Sequence, residues 1–210
     1  MYRILIADDH PIVRRGLRQI LEENRSVSNV DEAETGREAL EKVKKGKFDM
    51  ILLDISMPGM SGLETLEEIK RLKPALPVLI LSIYPEEEYA VRVLKTGASG
   101  YLTKKSAPDE LITAIRKLAR GERYISPSLA ELLATHLTGE TEKPHHESLS
   151  NREFQVMRMI ASGKSLKEIA GDMSLSPKTI STFRTRILQK LDLKSNAELI
   201  QYALKHGLME

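Results

Sequence analysis

Along the first 120 residues, short apolar runs alternate with stretches whose apolar side chains recur every three or four positions. The apolar runs predict strands at Arg3–Ala7, Val27–Ala33, Met50–Leu53, Pro77–Ser82 and Gly100–Thr103. The periodic stretches predict helices over Pro11–Glu23, Gly36–Lys45, Gly62–Leu72, Glu86–Lys95 and Pro108–Arg120. Pro11 suits a first helical turn, and Ile12, Leu17, Ile20 and Leu21 are the positions expected to face inward. In the next helix Ala39, Leu40 and Val43 take that part, and Gly97 stops the fourth. Strict alternation of this kind predicts an α/β fold, a doubly wound five-stranded parallel sheet with right-handed crossovers.

Beyond residue 120 the pattern changes. Ser126–Thr138 reads as one more helix, and Gly139–Glu147 contains no apolar residue and reads as a linker. His145 and His146 lie in that polar stretch and are expected to be solvated rather than to hold a metal. The remainder is purely helical. Asn151 is the expected N-cap of a helix through Ala161, with Phe154, Val156, Met157 and Ile160 inward and Gly163 as its stop. Leu166–Met173 forms a short helix, Ser176-Pro177 opens another that runs to about Leu191, and Ser195–His206 forms the last. The expected division is therefore a first domain over 1–122, a connecting segment with a helix over 123–147, and a four-helix all-α domain over 148–210.

Composition narrows the chemistry. The chain has no cysteine, which excludes disulfides, thiol catalysis and cysteine-type zinc sites. With 30% charged residues this suits a reducing cytosol, so a cytoplasmic location is expected. The start of the chain lacks the long apolar stretch of a signal peptide, and no run reaches the roughly 20 apolar residues of a membrane span. The net charge of +2 is unevenly spread: residues 148–210 hold ten basic and six acidic side chains, and residues 131–147 hold one and four. The positive excess belongs to the last third, a modest pointer to nucleic acid.

The most informative stretch runs from Met50 to Gly62. An apolar strand delivers Asp54 to its C-terminal end, where Pro58, Gly59 and Gly62 break the chain into a loop. In open α/β sheets ligands bind at that edge. The same edge receives Asp8 and Asp9 from the first strand, Ser82 from the fourth and Lys104 from the fifth. Singly, Asp9 could be an N-cap, Ser82 a strand-end hydroxyl and Lys104 a solvated side chain. Five polar groups converging at strand ends favour a site. Three neighbouring carboxylates repel one another and need a cation or a proton. An all-oxygen set open to water suits Mg²⁺. Lys104 and the Ser82 hydroxyl can then stabilise charge on a phosphoryl group as Asp54 attacks it.

These residues, Asp8-Asp9, Asp54 with Met57-Pro58 and Gly62, Ser82, and Gly100-Tyr101 with Lys104, resemble the receiver domain of two-component response regulators across residues 1–120. The resemblance implies that Asp54 is the phosphoacceptor, Asp9 a direct Mg²⁺ ligand, Asp8 a ligand mainly through water, and the Ser56 carbonyl the last protein ligand. It further implies that Ser82 bonds the phosphoryl oxygen, Tyr101 rotates inward with it, and Lys104 pairs with the phosphate. Two positions depart from the pattern. Ile83 stands where many receivers have a small residue, and its branched side chain is expected to hinder water and lengthen the phosphoryl lifetime. Lys105 replaces a common proline, so a cis peptide after Lys104 is not expected.

Residues 148–208 resemble the LuxR/FixJ-type helix-turn-helix domain, the NarL class. The likeness rests on Leu149 to Glu153, Gly163-Lys164-Ser165, Lys167 to Ala170, Ser176 to Ser181, and Arg186 to Leu191. Physically, the helix opening at Pro177 places Lys178, Ser181, Thr182 and Thr185 on one side. Its N-terminal amides, with Lys178 and Thr179, can bind phosphate. Ser181, Thr182 and Thr185 are the candidates for base edges in the major groove, with Arg184 and Arg186 on the DNA backbone. Phe183 stands where relatives often have His and is left out of the contact set.

Together the two resemblances imply a phosphorylation-controlled, sequence-specific DNA-binding transcription regulator rather than an enzyme. Its implied partners are a sensor histidine kinase or phosphorelay protein, double-stranded promoter DNA and, when active, a second copy joined through the last helix. RNA polymerase is a further candidate partner, and no membrane is implied. A haloacid-dehalogenase-type phosphatase would want a second aspartate two residues after Asp54, where this chain has Ser56. A binder with a vestigial acidic pocket and an RNA-binding or protein-binding tail are the other readings.

Overall fold

The computed structural model describes residues 1–138 and 145–208, with residues 135–138 described as backbone. It divides into two compact units, Met1–Leu133 and Ala134–Glu210. Residues 139–144 of the expected linker lie outside the described residues.

The first unit is a parallel sheet of β1 (Tyr2–Ala7), β2 (Val27–Ala33), β3 (Met50–Asp54), β4 (Val78–Ser82) and β5 (Gly100–Thr103), in the order β2-β1-β3-β4-β5. That order reverses between β1 and β3, the switch point where such sheets bind ligands. The crossovers are α1 (Pro11–Glu22), α2 (Gly36–Lys45), α3 (Gly62–Leu72) and α4 (Glu86–Lys95), and α5 (Ala107–Ala119) follows β5. Every residue of β3 and β4 is buried, as strands covered by helices on both faces require. Ile4, Ile6, Leu52, Leu79 and Leu81 form one core with Leu17 and Leu21 of α1 and Leu111, Ile115 and Leu118 of α5.

The inward face of α1 differs from the expected one. Ile12 is 85% exposed, whereas Arg14 is buried. Arg14 has partners at the ends of β1 and β2 that periodicity within one helix cannot reveal. The first unit also runs past residue 122. Tyr124 and Leu129 are buried in it, and Tyr124 forms a parallel bridge with Gly100. A sixth helix, α6 (Pro127–Thr138), begins there.

In the second unit a 3₁₀ turn, His145–Ser148, precedes α7 (Asn151–Ala161), α8 (Leu166–Asp172), α9 (Pro177–Lys190) and α10 (Asn196–Lys205). Ser150, not Asn151, caps α7, through a reciprocal capping box with Glu153. Ser165 and Glu168 form the same box on α8, while Ser176 caps α9 by accepting from the Thr179 amide. The α8–α9 turn passes through Ser174, held at a φ of 53°. Phe154, Met157, Ile169, Ile180, Ile187 and Leu199 make the core. Contrary to the expectation of solvation, His146 is half-buried. Its ring lies 6.1 Å from Phe154 and 6.0 Å from Tyr202, and its Nδ1 is 3.1 Å from the Tyr202 hydroxyl. No helix among the described residues is long and apolar enough to cross a membrane.

Candidate functional site

Each polar residue reaches the site because an apolar strand stops there. Asp8 follows β1, Asp54 ends β3, Ser82 ends β4, and Lys104 follows β5. Asp54 pairs in register with Leu81, and Ser82 with Thr103, so the strand ends lie side by side. Asp8, Asp54 and Ser82 are fully buried. The turn after Asp54 has no room for a side chain at Gly62. A Cβ there would run into the Asp54 carbonyl oxygen and come within 2.7 Å of the Ile55 Cα. Gly59, at a φ of 73°, supplies the left-handed residue of the same loop.

Lys104 bridges the two buried carboxylates. Its Nζ lies 2.9 Å from Asp54 Oδ2 and 2.7 Å from Asp8 Oδ2. Its backbone amide donates to the Ser82 carbonyl at 2.6 Å, and no cis peptide occurs among the described residues. The other Asp54 oxygen accepts the Ser56 amide at 3.1 Å, and Asp8 Oδ1 accepts the His10 amide at 2.9 Å. Burial pushes the Asp54 carboxyl above its ordinary range, Asp8 adds to that push, and Lys104 opposes it. For Lys104 burial pulls the ammonium down, and the Asp54 and Asp8 carboxylates outweigh it, leaving it raised.

Carboxylate oxygens of Asp8, Asp9 and Asp54 and a ring nitrogen of His10 all lie within 4.8 Å of one another. The three carboxylates, two of them fully buried, face one ammonium. That negative excess and the oxygen donors fit a hard divalent cation such as Mg²⁺, with the Ser56 carbonyl on the adjoining loop. His10 was not among the residues singled out from sequence. Its Nδ1 lies 2.8 Å from Asp9 Oδ1, and its position directly after Asp8-Asp9 was the available signal. Arg14 was also missed. Buried on α1, it donates to the Asp8 carbonyl at 2.8 Å, to Glu32 at 3.1 Å and to Glu34 at 2.5 Å, fixing the end of β1 against β2.

The Ser82 hydroxyl accepts the Tyr84 amide at 3.0 Å. The Tyr101 ring is fully buried, and its hydroxyl donates to the Tyr84 carbonyl at 2.8 Å, so the ring occupies the inward position. Ile83, between Ser82 and Tyr84, is 60% exposed at the rim.

On α9, Lys178, Ser181, Thr182, Thr185 and Arg186 are exposed, and Thr179 is half-buried. The hydroxyls of Thr182 and Thr185 donate to the carbonyls of Lys178 and Ser181, four residues back, leaving their lone pairs outward. The Thr179 hydroxyl is paired with the Ser176 hydroxyl at 2.8 Å. Arg184 stands apart from this face. It is half-buried, and its Nε donates to Asn196 Oδ1 at 2.6 Å, tying α9 to the start of α10.

Comparison with known proteins agrees with both halves of this geometry. Residues 4–116 match the response regulator receiver domain, and residues 147–203 match the bacterial regulatory proteins of the luxR family. The response regulator UvrY of Escherichia coli K12 is 37% identical, over 99% of this chain and 96% of its own. A structure of the RcsB response regulator of Salmonella typhimurium aligns with a TM-score of 0.72 at 29% identity, covering 98% of both chains. RcsB from Salmonella enterica serovar Typhimurium, bound to promoter rprA in the presence of the phosphomimetic BeF₃⁻, aligns with a TM-score of 0.67 at 30% identity, covering 96% of this chain and 98% of the other. The chain belongs to the NarL/FixJ response regulators, phosphorylation-controlled transcription regulators that join a receiver domain to a LuxR-type DNA-binding domain.

Proposed function

We propose that Asp54 accepts a phosphoryl group from a sensor histidine kinase or phosphorelay protein, and that this switches the DNA binding of α9. The observation that carries the reading is the Lys104 ammonium held between the buried Asp54 and Asp8 carboxylates. Asp54 attacks phosphorus through a carboxylate oxygen, an acyl phosphate bond forms, and the bond to the donor's nitrogen or oxygen breaks. Lys104 meets the charge on the transferred group, and the Ser82 hydroxyl turns from Tyr84 to donate to a phosphoryl oxygen. Tyr101 holds the β4–α4 loop through the Tyr84 carbonyl. Asp8, Asp9, Asp54 and the Ser56 carbonyl would hold Mg²⁺, which when bound supplies positive charge against the phosphoryl oxygens.

In the second unit, Lys178 and Thr179 at the start of α9 take backbone phosphate, with Arg186 further along. Ser181, Thr182 and Thr185 read base edges. Arg184, through its bond to Asn196, sets the angle between α9 and α10 and reaches phosphate only with its remaining donors. Promoter DNA is the substrate of this face, and RNA polymerase the partner that a bound activator meets. Leu204 on α10 is 61% exposed, an apolar position suited to a second copy of the chain. The lack of cysteine, and of a spanning helix among the described residues, fits a protein working in the cytoplasm.

The test is intact mass after incubation with acetyl phosphate and Mg²⁺, beside Asp54→Asn. A single phosphoryl adduct on the parent chain alone is the expected result. An adduct on both, or on neither even with a cognate kinase, overturns the assignment.

A further inference from the structure

Residues 124–130 carry a set of bonds that phosphoryl chemistry does not use. Tyr124 bridges to Gly100, and its amide donates to the Ser99 carbonyl at 2.9 Å. Gly100 leaves the space this needs, because a Cβ there would lie 2.8 Å from both the Tyr124 Cβ and its carbonyl oxygen. The Tyr124 hydroxyl donates to Glu110 on α5. Two residues on, the buried Ser126 places its Oγ 2.7 and 2.6 Å from the two carboxylate oxygens of Glu86, and Ser128 donates to the same carboxylate at 2.6 Å. The Ser126 Oγ also accepts the Leu129 amide at 3.1 Å and so caps α6. A single carboxylate on α4 thus holds the start of the connecting segment by charge-assisted hydrogen bonds.

Glu86 is the first residue of α4, and only Pro85 separates it from Tyr84. The Tyr84 amide and carbonyl are the groups bonded to Ser82 and Tyr101. The short loop is therefore gripped twice, from the phosphoacceptor side through Tyr84 and from the connecting segment through Glu86. When the Ser82 hydroxyl turns to a phosphoryl oxygen, the Tyr84 amide loses its acceptor and the loop must find a new position. A shift of the first turn of α4 separates Glu86 from Ser126 and Ser128, which follow the separately held Tyr124 and open α6.

We propose that Glu86 is a latch. It holds the connecting segment on the receiver when Asp54 is unmodified, and it releases Ser126 and Ser128 when Asp54 is phosphorylated. The inference rests on the proposed roles of Asp54 and Ser82 and adds to them the element through which they act.

The experiment is amide hydrogen exchange over residues 122–134 of the full chain, before and after acetyl phosphate and Mg²⁺, with adduct formation read by intact mass. The expected result is at least about ten-fold faster exchange in the phosphorylated chain. Unphosphorylated Glu86→Ala should show the same increase. Ser128→Ala, which leaves the Ser126 cap of α6 in place, should show a smaller one. An adduct with unchanged exchange overturns the latch as a reporter of phosphorylation. Unchanged exchange in Glu86→Ala overturns Glu86 as the holding residue. Absence of any adduct, with acetyl phosphate and with a cognate kinase alike, overturns the phosphoacceptor reading itself, and the switch with it.

Discussion

Lys104 Nζ lies 2.9 Å from Asp54 Oδ2, yet the Asp54 carboxyl titrates above its ordinary range. Burial and the neighbouring Asp8 cost the charged form more than this one ion pair returns. The pocket is assembled against its own electrostatics. A carboxyl raised in the folded state contributes most below its unfolded pKa, and the contribution is lost as pH rises through the folded value. In chelator at neutral pH, Asp54→Asn is therefore expected to raise stability by about 1 kcal/mol, and Lys104→Met to lower it by about 2 kcal/mol. Thermal unfolding in chelator and in Mg²⁺ checks both, and Mg²⁺ should narrow the gap between Lys104→Met and the parent. A fall in the melting temperature of Asp54→Asn would contradict this picture.

Ile83 stands at the rim of the same pocket with 60% of its surface exposed. A branched side chain there is expected to narrow the approach of water to a phosphoryl group on Asp54. Ile83→Ala is expected to speed dephosphorylation by a factor of about three to ten, the size of a modest change in access. The decay of the intact-mass adduct measures it, and an unchanged half-life removes Ile83 from the account.

The two arginines of α9 should behave differently. Arg186 is exposed, so Arg186→Ala is expected to weaken binding to all DNA sequences alike and to reduce the salt slope by about 1. Arg184 is bonded to Asn196, so Arg184→Ala should first cost the helical unit about 1 kcal/mol of stability. DNA titrations at several salt concentrations, beside urea unfolding, separate the two effects.

Glu153 is expected to contribute acid sensitivity to the helical unit. Burial raises its carboxyl, but the Lys190 ammonium at 2.6 Å and the Ser150 amide outweigh that and hold it below the ordinary range. A lowered carboxyl contributes stability above its unfolded pKa, near 4.5, and loses it as pH falls through the folded value. Glu153→Gln should cost about 1 kcal/mol at pH 7, a figure kept small because Lys190 is 40% exposed, and should flatten the stability profile below pH 5. Circular dichroism across that pH range reads both.

What sequence could and could not show divides along a physical line. The β3 run and Asp54 were legible because a strand covered on both faces is apolar throughout and stops at its site. The α9 cap was legible because Ser176-Pro177 is a local signal. Periodicity within α1 points to Ile12 and cannot register Glu32 and Glu34, which draw Arg14 inward across the sheet edge. His146 was misassigned because its partner Tyr202 lies 56 residues away. The Ser150 cap is legible too, because Ser150 and Glu153 stand at the local spacing of a capping box, one residue ahead of Asn151.

The tying of Lys190 to Glu153 has a consequence for affinity. Of the four basic residues on α9, Lys190 is tied to α7 and Arg184 is turned to Asn196, which leaves Lys178 and Arg186 without an acidic partner among the described residues. Duplex affinity grows with the counterions displaced, by roughly 0.9 in the logarithmic salt slope for each phosphate neutralised. On the proposed contacts one copy of this helix displaces few, and weak binding of a single copy at cellular ionic strength is the expected result. Tight occupancy then comes from doubling the protein on its site, and whatever governs pairing of the chains governs the gene.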